Sequence, residues 1–245
     1  MQTVQKTYRS SYSGENVVTN MTYEGGTWNF DRETVSNSVV NNQVSNKAIV
    51  IGNGASRAGF DLSLIKNHKG GLLAAGALQS YGCNALYRDF APNFLVAGGD
   101  DMLKEIAESG YTNDHIVYAN ANAILDYPGK YYLIPQDPSW NTGAIATYLA
   151  CFDGHKTVYL VGFDGIDSVN DGYNVYAGTR SYSSPTYGYS EEFWTQAMLQ
   201  VFNTYNDVDF VRVTPTADFR MPELWKYVVN LRQITFNEFT YEVDL

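Results

Sequence analysis

The feature that most constrains this chain is a series of short apolar runs, each too short for a helix. The first, Ala48-Ile49-Val50-Ile51, leads directly into Gly52. A continuous apolar run of this length belongs to a strand buried on both faces, which is the habit of parallel sheets. Further runs stand at 93–97, 115–118, 130–134, 157–161 and 209–213. Helical patterns fill the gaps. Residues 100–109 carry Met102, Leu103 and Ile106 at helical spacing and stop at Gly110, a residue type that ends helices in the left-handed conformation. Residues 142–152 are small and apolar, suited to close packing on a sheet, and 191–205 put Phe193, Trp194, Ala197, Met198, Val201 and Phe202 on one face. Strands alternating with helices predict an α/β domain with a mostly parallel sheet and helices on both faces.

The two ends read differently. Residues 8–44 are rich in Ser, Thr, Asn, Tyr and Val, and Gly25-Gly26 separates two runs of β-branched and aromatic residues. That pattern predicts a hairpin. The expected organisation is a β-rich N-terminal arm over 1–47, the α/β domain over 48–214, and a C-terminal helix/strand extension over 215–245. The extension is amphipathic around Leu224, Trp225, Tyr227, Val228 and Leu231 and turns β-like over 234–243. It is expected to pack on the arm or on another chain. Residues 164–190 form a long loop rich in Gly, Ser and Tyr. A loop of that length after a strand is expected to act as a lid over a site.

Sixteen basic and 26 acidic residues give a net charge of −10. Such a surface repels phosphate backbones, so general nucleic-acid binding is disfavoured. No apolar run approaches the ~20 residues of a membrane helix, and the N-terminus lacks the apolar core of a signal peptide. Two cysteines in apolar settings, Cys83 and Cys151, read as reduced core thiols of a cytoplasmic protein. Three histidines are too few for a histidine-rich zinc site. His155 is expected in a turn at the edge of the sheet away from the strand C-termini.

The chemistry concentrates where strands end. Gly52-Asn53-Gly54-Ala55-Ser56-Arg57 follows the first buried strand. Its glycines let the backbone approach a ligand, and its N–H groups suit phosphate oxygens. Position 57 is not glycine and no Gly-Lys-Ser/Thr follows, which removes the dinucleotide and P-loop readings. Asn84 follows the next β-unit, Asn141-Thr142-Gly143 opens the small apolar helix, and Gly162-Phe163-Asp164 closes a later strand. In a parallel sheet these ends share one edge. Asn84 is expected to hold a base or sugar, and Thr142 with the helix N-terminus a phosphate. Arg57 and Arg88 are candidates for phosphate neutralisation. Asp100-Asp101, with Asp164, Asp167 and Asp171, could bind Mg²⁺. The competing reading of Asp100 and Asp101 is a helix start.

These motifs, in this order, resemble a sialyltransferase-like Rossmann group that includes the family 42 glycosyltransferases and the 6-hydroxymethylpterin diphosphokinase-like proteins. The shared elements are Gly52–Ser56, Cys83-Asn84, Thr142-Gly143 and Gly162–Asp164, over roughly 48–213. The resemblance implies a Rossmann-like fold and a nucleotide pocket lined by Asn53, Asn84, Thr142 and Asp164. The wording around Cys83–Phe90, with the Tyr-rich arm, also resembles proteins of marine tailed phages. Two departures matter: no histidine follows His155, and Ile166 stands where the sialyltransferases carry a tyrosine. Their catalytic base therefore does not carry over. The expected activity is transfer from a nucleotide-activated donor, with a nucleotide sugar as partner. The nucleotide would be held by Gly52, Asn53, Gly54, Ser56, Asn84, Asn141, Thr142, Gly143 and Gly162. Asp164, Asp100 and Arg57 would carry catalysis, with or without Mg²⁺. Two alternatives stand beside it. One is a phage assembly protein on a degenerate site, a homo-oligomer joined through the arm and carried in the virion. The other is an ATP-dependent diphosphokinase-like enzyme.

Overall fold

The computed structural model describes residues 2–10, 15–36, 45–68, 78–135, 138–165, 174–182 and 190–244. They build two sheets. The first is antiparallel: β1 (Gln2–Ser10), β2 (Glu15–Glu24) and β3 (Thr27–Ser36) in the order β1-β2-β3. Strands β2 and β3 form the expected hairpin, in unbroken register from Glu15↔Ser36 to Glu24↔Thr27. Gly25 and Gly26 both have positive φ, +60° and +82°. Two left-handed residues give a turn whose twist matches that of its strands, and glycine takes that conformation without strain.

The second sheet has eight strands, all parallel. They are β4 (Lys47–Ile51), β5 (Gln79–Cys83), β6 (Phe94–Val96), β7 (Ile116–Ala119), β8 (Tyr132–Leu133), β9 (Thr157–Val161), β10 (Asp209–Thr214) and β11 (Leu231–Thr235). Their spatial order is β11-β10-β9-β4-β5-β6-β7-β8. The chain starts in the middle at β4 and builds outward to β8. It then returns to lay β9 on the other side of β4. The fold is α/β and Rossmann-like. All six apolar runs became strands, and β5 is a strand that the pattern of runs did not announce.

The helices are α1 (Leu62–His68), α2 (Asp100–Ser109), α3 (Ala121–Asp126), α4 (Thr142–Phe152), α5 (Glu191–Thr204) and α6 (Phe236–Glu242). They cover both faces of the sheet. The Tyr81 hydroxyl reaches Asp153 at the C-cap of α4, whereas the Tyr159 hydroxyl reaches Glu242 of α6. Val50 lies in register with Tyr81 and Leu160, and Ile49 with Tyr159. Residues in register share a face and successive ones alternate. Helices α4 and α6 therefore lie on opposite faces. The strand interiors Ala48–Ile51 and Val158–Val161 are completely buried between them.

The C-terminal segment departs from its expected role. Of the stretch expected to be β-like, 234–243, Ile234 and Thr235 are in a strand and Phe236–Glu242 are helical. Strand β11 pairs with β10 from Phe210↔Leu231 to Thr214↔Thr235 and completes the main sheet. Helix α6 then begins at once, because Thr235 and Glu238 form a reciprocal capping box. Two otherwise orphaned N–H groups are satisfied by that pair. Phe239 is fully buried, with its ring edge-on to Tyr159 at 5.0 Å and tilted against Phe60 at 5.6 Å.

At the N-terminal edge of the sheet His155 is fully buried. Its Nε2 lies 3.0 Å from the Tyr81 hydroxyl, and Nδ1 bonds the Ser45 carbonyl. It sits at the edge away from the strand C-termini, as its position in the sequence suggests.

Truncating the plug between α6 and the sheet tests this packing. Phe239→Ala should lower unfolding free energy by about 3–5 kcal/mol, read as a shifted urea midpoint with an unchanged slope. A loss below ~1 kcal/mol would mean that α6 is not part of the core.

Candidate functional site

In an open parallel sheet, ligands bind beyond the strand C-termini where the strand order reverses. Here that point lies between β4 and β9. The loops leaving them are locked backbone to backbone: Gly52 N–H donates to the Val161 carbonyl at 2.8 Å, and Gly54 N–H to the Gly162 carbonyl at 3.0 Å. The fit leaves no space for side chains. A Cβ on Gly54 would stand 2.6 Å from both the Gly162 oxygen and Asp164 Cγ, and one on Gly52 2.6 Å from the Gly162 oxygen. Asp164 closes the junction by accepting from Ser56 N–H at 3.1 Å and from the Ser56 hydroxyl. Behind it, the fully buried Arg212 of β10 donates to the carbonyls of Phe163 (2.8 Å) and Asp164 (3.2 Å). Burial lowers the Arg212 pKa to about 10 against the opposing pull of the Asp164 carboxylate.

Asn84 ties two further elements to this junction. Its φ is +49°, a conformation that asparagine tolerates better than most residues. Its Oδ1 accepts from Gly98 N–H at 2.9 Å, and its Nδ2 donates to Thr142 Oγ1 at 3.2 Å. It thus joins the end of β5, the loop after β6 and the first turn of α4. Asn141 caps α4, with Oδ1 accepting from Ala144 N–H at 2.9 Å. Asn53 Nδ2 donates to the Cys83 carbonyl at 3.0 Å. Asn53 Oδ1 and Asn141 Nδ2 are buried with no hydrogen-bond partner among the described residues. Buried polar atoms left this way ask for a partner.

These elements enclose a cavity of about 170 Å³. Gly52, Asn53, Gly54, Asn84, Asn141, Thr142, Gly143, Gly162 and Asp164 all line it. Ser56 stands just behind, bonded to Asp164. Of the rest of the lining, Cys83 and Phe163 stand inside the sequence motifs and Asn174 and Tyr182 inside the expected lid, whereas Trp194, Met198 and Trp225 were missed. Phe163, Trp194, Met198 and Trp225 form an apolar wall. Trp194 and Met198 read as ordinary helix-face residues, and nothing near Trp225 in the sequence pointed to the site. Through Asn84, Asn141, Thr142, Tyr182 and Trp194 the cavity opens into a wider groove of about 620 Å³, where Asp100 and Asp101 lie. Both aspartates occupy the first turn of α2, the end that favours negative charge.

Of the long loop after β9, residues 174–182 cross the site as a strap. Asn174 bridges to Gly54, and Val175 N–H donates to the Asn53 carbonyl at 3.0 Å. Tyr182 lines the cavity with its hydroxyl beside Asn53 and Asn84, and burial pushes it up to about 12. Ile166, Asp167, Asp171, Tyr173, Tyr187 and Tyr189 lie outside the described residues. Of the expected Mg²⁺ cluster, Asp100, Asp101 and Asp164 are described, the first two in the groove and the third at the cavity. Among the described residues no three His, Cys, Asp or Glu side chains gather in a metal-binding group.

The two arginines do not line either cavity. Arg57 is buried, with Nη2 donating to the Tyr176 hydroxyl at 3.1 Å and its guanidinium over the Tyr176 ring. The Tyr176 hydroxyl in turn donates to Asp89 at 2.6 Å. Arg88 grips Glu105 with Nη2 at 2.6 and 2.7 Å and Nε at 2.8 Å. It also reaches Thr179 Oγ1 and the Arg180 carbonyl, both at 2.7 Å. Both therefore hold the strap, and the phosphate role expected of Arg57 has no support in its position. Burial alone would push the Glu105 carboxyl up. Hydrogen bonds from Arg88, Ser181 and Tyr87 together hold it below its ordinary value. Cys83 lies under the cavity floor, where burial raises its thiol to about 11.

Comparison of the chain with protein-family models, curated proteins and solved structures finds no match. Among the described residues no helix is long and apolar enough to cross a membrane.

Gly54→Ala should break the junction of the two loops. The expected cost is about 1–3 kcal/mol of stability, with lost protection of the Gly54 amide in hydrogen exchange. An unperturbed Gly54→Ala protein would show that the close approach is not needed.

Glu105→Gln should release the strap. Glu105 is buried but Arg88, the charge left behind, is partly exposed, so the cost should be about 1–3 kcal/mol, and tryptic cleavage after Arg180 should accelerate by ~10-fold or more. A carboxyl held low by folding contributes stability above its unfolded value, near ~4.3, and loses it as pH falls through the lower folded value. The strap amides should therefore stay protected from neutral pH down to ~4.3 and open below it. Equal cleavage of the two proteins would place the strap's anchor elsewhere.

Proposed function

We propose that the chain is a transferase that uses a nucleotide-activated donor, with glycosyl transfer from a nucleotide sugar as its reaction. The observation that carries this reading is the convergence at the β4/β9 switch point. The glycine loop, Asn84, the N-terminus of α4 and Asp164 all border one cavity there. The first turn of an eleven-residue helix presents backbone N–H groups at its positive end, which suits a phosphate. Asn53 Oδ1 and Asn141 Nδ2 offer one acceptor and one donor to a base or sugar. The wall of Phe163, Trp194, Met198 and Trp225 supplies flat apolar surface for the ring system.

In the transfer, an acceptor hydroxyl attacks the donor's anomeric carbon and the glycosyl–phosphate bond breaks. The nucleotide leaves with the electron pair, and a carboxylate takes the proton. Asp164 is engaged by Ser56, so in this reading it orders the loop. Asp100, in the adjoining groove, is the better placed base. The separate N-terminal sheet, whose strands pair only with one another among the described residues, favours a second reading as an assembly protein.

Thermal unfolding with CMP, UDP and ATP–Mg²⁺ tests both. A ligand at a hundred times its dissociation constant adds about 2.7 kcal/mol, and the nucleotide that shifts the midpoint separates glycosyl from pyrophosphoryl transfer. Asn141→Ser keeps a capping oxygen but removes the Nδ2 donor. It should weaken the nucleotide by ~10-fold with little change in the ligand-free midpoint. No shift with any nucleotide, together with a discrete oligomer in sedimentation of the full chain, would favour assembly over catalysis.

A further inference from the structure

The wider groove carries information of its own. It leaves the cavity at Asn141 and Thr142 and continues, through Trp140, Asn141 and Phe193, into a further trough of about 370 Å³. That trough follows α5 from Ser190 to Gln200, ten residues or roughly 15 Å of helix. The space is therefore an elongated channel with one end at the proposed donor site.

Among the described residues its lining combines aromatic rings, amides, aliphatic side chains and a few carboxylates. Trp140 and Phe193 offer aromatic faces, the latter 40% exposed. Asn120, Asn122, Gln196 and Gln200 offer side-chain amides, each both donor and acceptor. No lysine, arginine or histidine lines any part of it among the described residues. Among the described residues the charged groups along the groove and trough are Asp100, Asp101 and Glu192, each in the first turn of a helix. An anionic ligand would meet repulsion and no counter-charge. A peptide bound as an extended strand needs a free sheet edge beside it. Among the described residues this channel is bordered instead by α2, α3, α4, α5 and loops.

We propose that the channel is the seat of a neutral oligosaccharide. Its reacting end lies at Asn141 and Thr142, and its body runs over Trp140 and Phe193 along α5. A pyranose presents an apolar C–H face to an aromatic ring and a rim of hydroxyls to amides, which matches this lining. Taken as the acceptor, this ligand rests on the transferase reading. The binding itself does not.

The test uses full-length protein with malto-, cello- and N-acetylchito-oligosaccharide ladders from dimer to hexamer. Hyaluronan fragments, chitosan fragments and an uncharged unstructured peptide of matched length serve as controls. Binding is read by saturation-transfer NMR and tryptophan fluorescence. At least one neutral ladder should bind, with affinity rising by ~10-fold or more from dimer to hexamer. Phe193→Ala and Gln200→Ala, at exposed positions of α5, should cancel that rise while leaving any nucleotide-induced thermal shift unchanged. The proposal fails if no neutral ladder binds, if the charged fragments or the peptide bind more tightly, if affinity is independent of length, or if the variants bind like wild type. Nucleotide shift without glycan binding overturns this inference alone. Length-dependent glycan binding without any nucleotide shift sustains it and removes the donor reading.

Discussion

The site depends on the contact between the loops that leave β4 and β9. Two backbone hydrogen bonds and the Asp164–Ser56 link hold those loops together. The approach is so close that neither Gly52 nor Gly54 has room for a β-carbon. Everything that lines the cavity is placed relative to this seam. Asn84 hangs α4 and the loop after β6 on it, the strap bridges to Gly54, and Arg212 supports it from below. Rigid support of this kind is what a binding constellation needs if its groups are to be preorganised.

The seam also fixes the electrostatic character of the site. Positive charge sits behind it, in the buried Arg57 and Arg212, and both guanidinium groups are engaged by protein oxygens. The cavity itself is lined by amides, the hydroxyls of Thr142 and Tyr182, the Asp164 carboxylate and a helix end. Backbone dipoles can balance one phosphate locally, but they carry none of the long-range attraction that a cationic funnel exerts. Selectivity here would come from shape and hydrogen bonding rather than from net charge.

Much of this was legible in the sequence. Strands buried on both faces show as unbroken apolar runs, so β4, β9 and β10 could be located closely. Strand β5 could not, because Gln79, Ser80 and Gly82 interrupt its apolar pattern. Gln79 and Ser80 are buried polar residues, and Ser80 is satisfied by Asn93. The polar half of the site followed from topology, since glycine and asparagine at the ends of parallel strands converge. Its apolar half did not. Trp194, Met198 and Trp225 arrive from segments distant in sequence, and a core tryptophan looks the same as one that walls a cavity. The tail was read correctly as β only as far as Thr235, because the Thr235–Glu238 capping box starts a helix at Phe236 despite the β propensity of Phe236, Phe239, Thr240 and Tyr241. The position of Arg57 was not legible, because the hydroxyl it bonds belongs to Tyr176, 119 residues along the chain.

The placement of β9 beside β4 has a consequence for how the molecule is made. Ser56 and Asp164 are 108 residues apart in the chain, and no local contact can stand in for the pair they form. During synthesis the half from β4 to β8 is complete while β9 is still unmade. The edge of β4 that pairs with β9 then carries unpaired N–H and C=O groups between faces that are fully buried in the finished fold. Non-local parallel pairing is slow, and an unpaired central strand is open to the wrong partner. The cavity is thus among the last features of this molecule to form, since it waits on the pairing of Thr157–Val161 with β4.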